Sequence, residues 1–234
     1  MNNEFNVNHV QFLLQGAGWT LVLSLMAFAG GGLVGFGVAL ARTSPLRWLR
    51  WLSLGYVQLV QGTPLLILMF LAYFGLSILG LSLPAIVAAG LSMTIYVSAY
   101  VGEIWRGCIE AVPKTQWEAA ECLALTRTQR LFQVILPQAL RIATPPTVGF
   151  MVQIVKNTSL ASVVGFVELA RAGQVINNSL FEPFLVYMLV AGLYFLLCFP
   201  LSWWARKLED RLLVVRKSKP VTRKGIANVQ YCES

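Results

Sequence analysis

Long apolar stretches constrain this chain more than any other feature of its sequence. About 20 apolar residues in a helix cross a hydrocarbon core of roughly 30 Å, and five segments are long enough to do so. The predicted spans are residues 19–40, 54–76, 83–105, 142–164 and 184–204. Charged residues make up only 12% of the chain, about half the fraction typical of a soluble domain. We therefore predict an all-α integral membrane protein with about five transmembrane helices.

Small residues and proline inside these spans indicate a packed bundle. Glycine lets helices approach closely, and proline kinks them. Pro64 therefore predicts a kink or a break in the second span. The glycines of the first span are Gly30, Gly31, Gly32, Gly35 and Gly37.

The basic residues lie unevenly between the spans. Of the 18 Lys and Arg residues, 16 follow the first, third or fifth span, which places them on one side of the membrane. Because basic loops stay in the cytoplasm, we predict an extracytoplasmic segment at 1–15, a transmembrane domain at 16–210 and a cytoplasmic C-terminus. The tail at 211–234 is predicted to be basic and disordered beside anionic lipid, so the net charge of +8 requires no nucleic-acid partner.

A polar, helix-forming segment separates the third and fourth spans. Thr115 and Glu118 have the spacing of a capping box, which predicts a first short helix at 116–123. Thr126 and Gln129 repeat this spacing and predict a second helix from about Arg127. Pro137 is expected to interrupt that second helix. The sequence thus predicts a compact cytoplasmic knob of two short helices that another protein grips.

The knob also carries residues suited to contact. Ala119 and Ala120 are small enough to allow a partner surface to approach. Its large apolar side chains either bind a partner or pack the knob onto the membrane helices, and the sequence leaves both interpretations open. These side chains are Trp117, Leu123, Leu131, Phe132 and Ile135.

Polar residues inside the spans are candidates for a substrate path, because such groups are costly in a membrane. Gly149, Gln153, Lys156 and Asn157 share one face of a helix. Lys156 could pair with a substrate carboxylate and Asn157 could bond to its ammonium or side chain. Alternatively, Lys156 pairs with a group of the chain, such as Glu168, or snorkels outward.

Glu103 is a further candidate for the path. It lies three residues before Arg106, a spacing that also suits an ion pair on a helix surface.

Enzymatic chemistry has little support in this sequence. His9 is the only histidine, the four cysteines lack metal-ligand spacing, and no phosphate-binding GxxxxGK[ST] loop is present. We therefore predict no catalytic residue, no metal site and no cofactor in this chain.

The knob and four other motifs carry a resemblance. Glu118-Ala119-Ala120, followed by Ala124, Val134 and Leu136-Pro137, resembles the EAA loop of permease subunits of ATP-binding-cassette (ABC) importers. The other motifs narrow the resemblance to polar amino-acid uptake permeases of bacteria, of the histidine, glutamine and arginine type, over about residues 15–210. They are GTPLL at 62–66, GEIWRG at 102–107, ILPQALR at 135–141 and KNTSLASVVGFVEL at 156–169.

The resemblance implies a type I importer permease in the bacterial inner membrane that carries polar amino acids or close derivatives. It implies a second permease subunit, identical or different, and an extracytoplasmic binding protein. Two cytoplasmic ATPases would bind ATP and Mg²⁺ and hold the EAA loop at about 113–141. The docking residues carried over are Glu118, Ala119, Ala120, Ala124, Leu136 and Pro137.

Three positions depart from the family pattern, and two other classes of function stay open. Ala124 stands where glycine is usual, so we expect a rearranged turn or a first helix that runs on. Gln61 and Asn157 replace an arginine and an acid, which weakens any inference about substrate charge. The alternatives are an ATP-coupled exporter and an ion-driven carrier of small polar solutes. Dependence on a binding protein or on an ATPase distinguishes them.

Overall fold

The computed structural model describes the backbone of residues 6–217 and the side chains of residues 6–211. This part of the chain consists of helices joined by short connections, without a strand. The predicted tail at 211–234 begins inside the last helix, because the Leu- and Val-rich run after residue 211 continues it, and residues 218–234 lie outside the described part. The helices are α1 Val7–Arg42, α2 Arg47–Gln61, α3 Leu65–Ile78, α4 Ala85–Glu110, α5 Lys114–Cys122, α6 Arg127–Val164, α7 Leu169–Leu180 and α8 Pro183–Lys217.

The predicted membrane-protein class is confirmed, with changes in where the spans begin and end. Three helices, α1, α4 and α8, are individually long and apolar enough to cross a membrane. Two bent pairs bring the possible number to five, since α2 with α3 and α6 with α7 pass the same test together. Helix α7 was not predicted, because its polar sequence follows a span without a clear start signal.

The first span is longer at its N-terminus than predicted. Helix α1 begins at Val7, and residues 7–15 of the predicted N-terminal segment belong to it. Asn6 is its N-cap, and the Asn6 N–H donates to Nδ1 of His9 at 3.0 Å. This reciprocal cap explains why the helix starts in a polar stretch that the apolar pattern alone does not include.

The second predicted span is broken rather than straight. Helices α2 and α3 meet at an angle of 98°, and Pro64 precedes α3 with an extended backbone (φ −58°, ψ 138°). Proline lacks the N–H of a helix interior and pushes the preceding residue out of the helical region. The expected effect of Pro64 is therefore confirmed, and residues 54–76 form two separate helices.

Helices α1 and α4 form the closest helix pair of the bundle. A Cβ added to Gly31 would lie 2.5 Å from Cβ of Val97, and one added to Gly35 would lie 2.9 Å from a carbonyl oxygen of α4. Close packing is thus confirmed at these two glycines. Nothing in the described part of this chain lies within 4 Å of a Cβ built on Gly32 or Gly37, so close packing stays a prediction at these two positions.

Helix α6 runs antiparallel to α4. Ile109, near the end of α4, packs with Ile135 and Ala139 of α6. Farther along, Tyr100 stacks on Phe150 with ring centroids 5.4 Å apart. We call the end of the bundle near Ile109 the basic end, because Arg42, Arg106, Lys114 and Arg127 lie near it.

Pro137 does not interrupt α6, contrary to the prediction. A π-helical stretch, Arg130–Ile135, passes directly into the α-helix Leu136–Asn157, and a 3-10 turn, Thr158–Val164, completes α6. Proline is tolerated in the first turn of an α-helix because no N–H is needed there. The wider π-helical turn absorbs the change in hydrogen bonding, so the helix continues from Arg127 into the fourth predicted span.

Candidate coupling surface and polar path

Helix α5 starts differently from the prediction. It begins at Lys114, and no side chain caps it, so the capping box at Thr115 and Glu118 is wrong. Pro113 occupies the N-cap, and its carbonyl oxygen accepts from the N–H of Gln116 at 2.9 Å. Since Pro113 is the N-cap, the first helical residue is Lys114, which places Thr115 inside the helix and Glu118 in its second turn.

The second capping box is confirmed. The Thr126 N–H donates to Oε1 of Gln129 at 2.9 Å, and the Gln129 N–H donates to Oγ1 of Thr126 at 3.4 Å. Helix α6 accordingly starts at Arg127. An ion pair between Arg130 and Glu121, at 3.0 Å, joins the start of α6 to α5. The pair is exposed on the Glu121 side, and such pairs contribute little stability.

Ala124 keeps the turn shape that glycine usually makes. Its φ is +54°, and α5 ends at Cys122, so both the rearranged turn and the longer helix are wrong. The Leu125 N–H donates to the Ala120 carbonyl at 3.3 Å, and the Ala124 N–H donates to the Glu121 carbonyl at 2.9 Å. These two bonds form a Schellman motif, which holds Ala124 left-handed despite its Cβ.

Replacement of Ala124 by glycine is expected to stabilise this turn by about 1 kcal/mol, because an L-residue pays a steric penalty in the left-handed region. Amide hydrogen exchange at Leu125 should slow by roughly fivefold, as expected for that energy. Ala119→Gly, inside α5, is the control and should speed exchange, since glycine weakens a helix interior. Faster exchange at Leu125 in Ala124→Gly would contradict the assignment of strain.

The predicted contact residues divide into buried and exposed sets. Trp117, Leu131 and Ile135 pack against the end of α4. For these three side chains the alternative of packing onto the membrane helices is therefore the one observed. Leu123 and Phe132 stay 74% and 47% exposed, which leaves them available to a partner.

The residues carried over from the EAA loop also divide into exposed and buried sets. Glu118, Ala119 and Ala124 are exposed. Ala120 is only 2% exposed and lies on the buried face of α5, so its small size serves the packing of α5 onto the bundle. At the start of the long α-helix, Pro137 is exposed and Leu136 is half-buried in the cluster with Ile135. We call the exposed set Glu118, Ala119, Leu123, Ala124, Phe132 and Pro137 the coupling surface.

The polar stripe of the fourth span lies on one open face of α6. Gly149, Gln153 and Lys156 are exposed, and Asn157 is half-buried. Part of this face borders a groove against α8. One cavity there, of about 680 Å³, includes Gly149 in its lining, and another of about 300 Å³ includes Lys156 and Arg206.

Glu103 does not join this stripe. It accepts hydrogen bonds from Nε of Arg106 at 2.9 Å and from Arg42 at 3.5 Å. Arg106 also pairs with Glu110, so the four residues form a charge cluster that links α1 to the basic end of α4. Lys156 lies beyond the Tyr100–Phe150 contact in the opposite direction, and the structure therefore separates these two candidates.

A buried carboxylate forms the polar centre that sequence reasoning missed. Glu168 is 0% exposed and caps α7, accepting from the N–H groups of Ala170 and Arg171, both at 2.9 Å. The Tyr194 hydroxyl donates to it at 2.7 Å and the Thr20 hydroxyl at 3.4 Å. No ion pair joins Glu168 to Lys156 among the described side chains, so the suggested pairing is wrong.

Comparison with known proteins gives one family and close relatives. The family profile described as "Binding-protein-dependent transport system inner membrane component" matches residues 31–214. The chain is 34% identical over 197 residues to the probable amino-acid ABC transporter permease protein YckA of Bacillus subtilis, covering 84% of this chain and 87% of the relative. It is 36% identical over 212 residues to the probable glutamine ABC transporter permease protein GlnM of the same organism, covering 91% and 98%.

A solved structure shares both fold and sequence. It is the crystal structure of an amino acid ABC transporter with histidines, which superposes with a TM-score of 0.83 at 32% sequence identity. The alignment covers 88% of this chain and 96% of that chain. The fold is therefore that of a type I importer permease, as the resemblance implied.

Proposed function

The chain belongs to the family of binding-protein-dependent transport system inner membrane components, and from this membership we propose that it is the permease subunit of an ATP-driven amino-acid importer. The carrying observation is the continuity of α6, which joins the coupling surface to the polar stripe without a loop. Amino acids are the proposed substrate class because the relatives' names specify amino-acid and glutamine transport.

The proposed partners follow from the surfaces that the chain leaves open. The exposed apolar and acidic groups of the coupling surface fit a cytoplasmic ATPase, which would bind ATP and Mg²⁺ and perform the hydrolysis. A second permease subunit, identical or paralogous, would complete the pathway, and an extracytoplasmic binding protein would deliver the substrate. The N-terminus faces outward and the basic end faces the cytoplasm of a bacterium, in agreement with the distribution of basic residues.

Transport would proceed by alternating access. When the ATPases close, they draw the two coupling surfaces together, and each α6 moves as one body with its coupling surface. Because Gln153, Lys156 and Asn157 lie on the same helix, this motion would reorient the polar stripe between the two sides of the membrane. The ion-paired cluster around Glu103 ties the basic end of α4 to α1 and would move with the bundle.

The direct test is uptake by the complete transporter, reconstituted with its ATPase, its partner permease and its binding protein. Radiolabelled uptake with a competing panel of polar amino acids should identify the substrate, and uptake should require both ATP and the binding protein. Uptake that persists without any ATPase would identify an ion-driven carrier. Transport that needs no binding protein would point to an exporter.

Replacement of Lys156 by alanine is expected to reduce amino-acid uptake by about tenfold or more, because a cation paired with a substrate carboxylate is worth roughly 1.5–3 kcal/mol. Lys156 is a candidate for this pairing because it lies on the open face of α6 and makes no ion pair among the described residues. Uptake and complex assembly should be measured together. Lys156→Arg is the charge-preserving control, and normal uptake by Lys156→Ala would exclude the substrate role.

A further inference from the structure

A cleft with several basic side chains opens at the basic end, away from the polar stripe. It lies between the α1–α2 loop, the end of α4 and the start of α5, and its volume is about 820 Å³. A second hollow of about 270 Å³ shares two of its arginines and adds Trp51. We call the two together the basic cleft. Its cations are Arg42, Arg47, Arg50, Lys114 and Arg127.

The positive charge of the basic cleft is not balanced by the chain. Glu110 is the only carboxylate of its described lining, and it pairs with Arg106 outside the cleft. Arg47, Arg50 and Lys114 have no carboxylate within 4.0 Å in the described part of the chain. A concentration of like charge around a concave space is stable only with a counter-anion or full hydration.

Arg42 adds a buried donor to this site. It reaches Glu103 with one guanidinium nitrogen at 3.5 Å. Its Nε is buried and has no hydrogen-bond partner among the described atoms. Across the cleft, Arg127 donates to the Thr43 carbonyl at 3.4 Å, which ties the start of α6 to the α1–α2 loop and closes one wall.

Aromatic side chains place the cleft at the depth of lipid headgroups. Trp48 and Trp51 are 60% and 71% exposed on the first turns of α2, beside Arg47 and Arg50. Tryptophan concentrates at the membrane–water interface, where its ring contacts acyl chains and its N–H stays near headgroups. Arginine next to exposed tryptophan is the arrangement by which interfacial helices bind anionic lipid.

We propose that the basic cleft binds the phosphate of an anionic phospholipid headgroup, whose acyl chains lie along Trp48, Trp51 and the outer face of α2. Basic pockets between helices at this depth bind such headgroups, and guanidinium groups bind phosphate in a bidentate manner. The C-terminal tail of the chain does not suit the role of the anion that fills the cleft, since residues 218–234 carry three basic residues and one acid. The site holds the α1–α2 loop and the start of α6 against the membrane surface.

The test uses the full-length chain in its assembled transporter, reconstituted in nanodiscs with phosphatidylcholine and a minor fraction of phosphatidylglycerol. Native mass spectrometry counts the phosphatidylglycerol molecules retained per permease chain, and titration gives the apparent affinity. Arg47→Gln with Arg50→Gln should weaken retention by roughly 30-fold, as expected for two cations each worth about 1 kcal/mol at a lipid surface. Brominated phosphatidylglycerol should quench tryptophan fluorescence in the wild type, and Trp48→Phe with Trp51→Phe should reduce that quenching.

The charge-matched control is Arg141→Gln with Arg211→Gln, since both arginines are exposed and lie outside the cleft. This control should retain lipid as the wild type does, and both double variants should keep wild-type thermal stability. Equal retention by the two double variants would overturn the proposal. Displacement of the lipid by inorganic phosphate would assign the cleft to a free anion. Lipid retention that appears only when the permease is reconstituted without its ATPase would assign the cleft to the ATPase interface. Either result also overturns the proposal.

Discussion

Replacement of Glu118 by arginine is expected to separate the permease from its ATPase and to abolish ATP-dependent uptake. Glu118 is exposed in the second turn of α5, beside the exposed Ala119 and within the coupling surface. Reversing a charge at an interface places like charges together and costs several kcal/mol. A loss of about 3 kcal/mol corresponds to roughly a hundredfold weaker binding, which co-purification and titration of the ATPase would detect.

The charge reversal should leave the permease itself folded. Glu118 makes no ion pair in the described part of the chain, and surface substitutions of this kind change stability by about 0.5 kcal/mol or less. Asp210→Arg is the matched control, because it makes the same change of charge on an exposed position of α8. If the ATPase binds Glu118→Arg as tightly as it binds Asp210→Arg, the coupling surface lies elsewhere.

The features that could be predicted from sequence are those with a local physical cause. The apolar stretches predict a membrane bundle, because segments of about 20 apolar residues match the thickness of the hydrocarbon core. Pro64 breaks the second span, and Thr126 with Gln129 starts α6 at Arg127. In each case the bonds that decide the structure join residues three or four positions apart, so the sequence alone contains the evidence.

Where the prediction was wrong, a neighbouring local effect was stronger. Pro113 rather than Thr115 is the N-cap of α5, and its carbonyl oxygen accepts the first backbone bond of the helix, from Gln116. Pro137 fails to break α6 because a π-helical turn precedes it. Ala124 stays left-handed because the Schellman bonds to Ala120 and Glu121 are formed by the backbone and require no glycine. These outcomes preserve the continuous helix on which the proposed coupling depends.

The centre around Glu168 could not be predicted, because its partners are distant in sequence. Thr20 lies 148 residues away and Tyr194 lies 26 residues away. Glutamate is also an uncommon N-cap compared with Ser, Thr, Asp or Asn. One weak signal was available, since a carboxylate between two apolar segments must find donors or lose its charge. The donors come from three helices, α1, α7 and α8, which only the fold brings together.

Replacement of Glu168 by alanine is therefore expected to destabilise the permease by about 4 kcal/mol, more than a typical substitution. The change removes two bonds to the N-terminus of α7 and two bonds to hydroxyl groups. The half-buried N–H of Ala170 and the hydroxyls of Thr20 and Tyr194 would be left without this acceptor. Such groups cost roughly 1–3 kcal/mol each when they stay unpaired in an apolar interior.

Thermal unfolding of the detergent-solubilised chain should show this loss as a decrease of about 10 °C in Tm. Glu168→Gln keeps one carbonyl oxygen toward the N-terminus of α7 and should lose about half as much, since bonds to an uncharged acceptor are weaker. Glu209→Ala, at an exposed acid of α8, should leave Tm unchanged. Tyr194→Phe combined with Glu168→Ala should cost less than the sum of the two single changes, because both remove the same 2.7 Å bond. Strict additivity, or a Glu168→Ala chain as stable as Glu209→Ala, would show that Glu168 does not hold α1, α7 and α8 together.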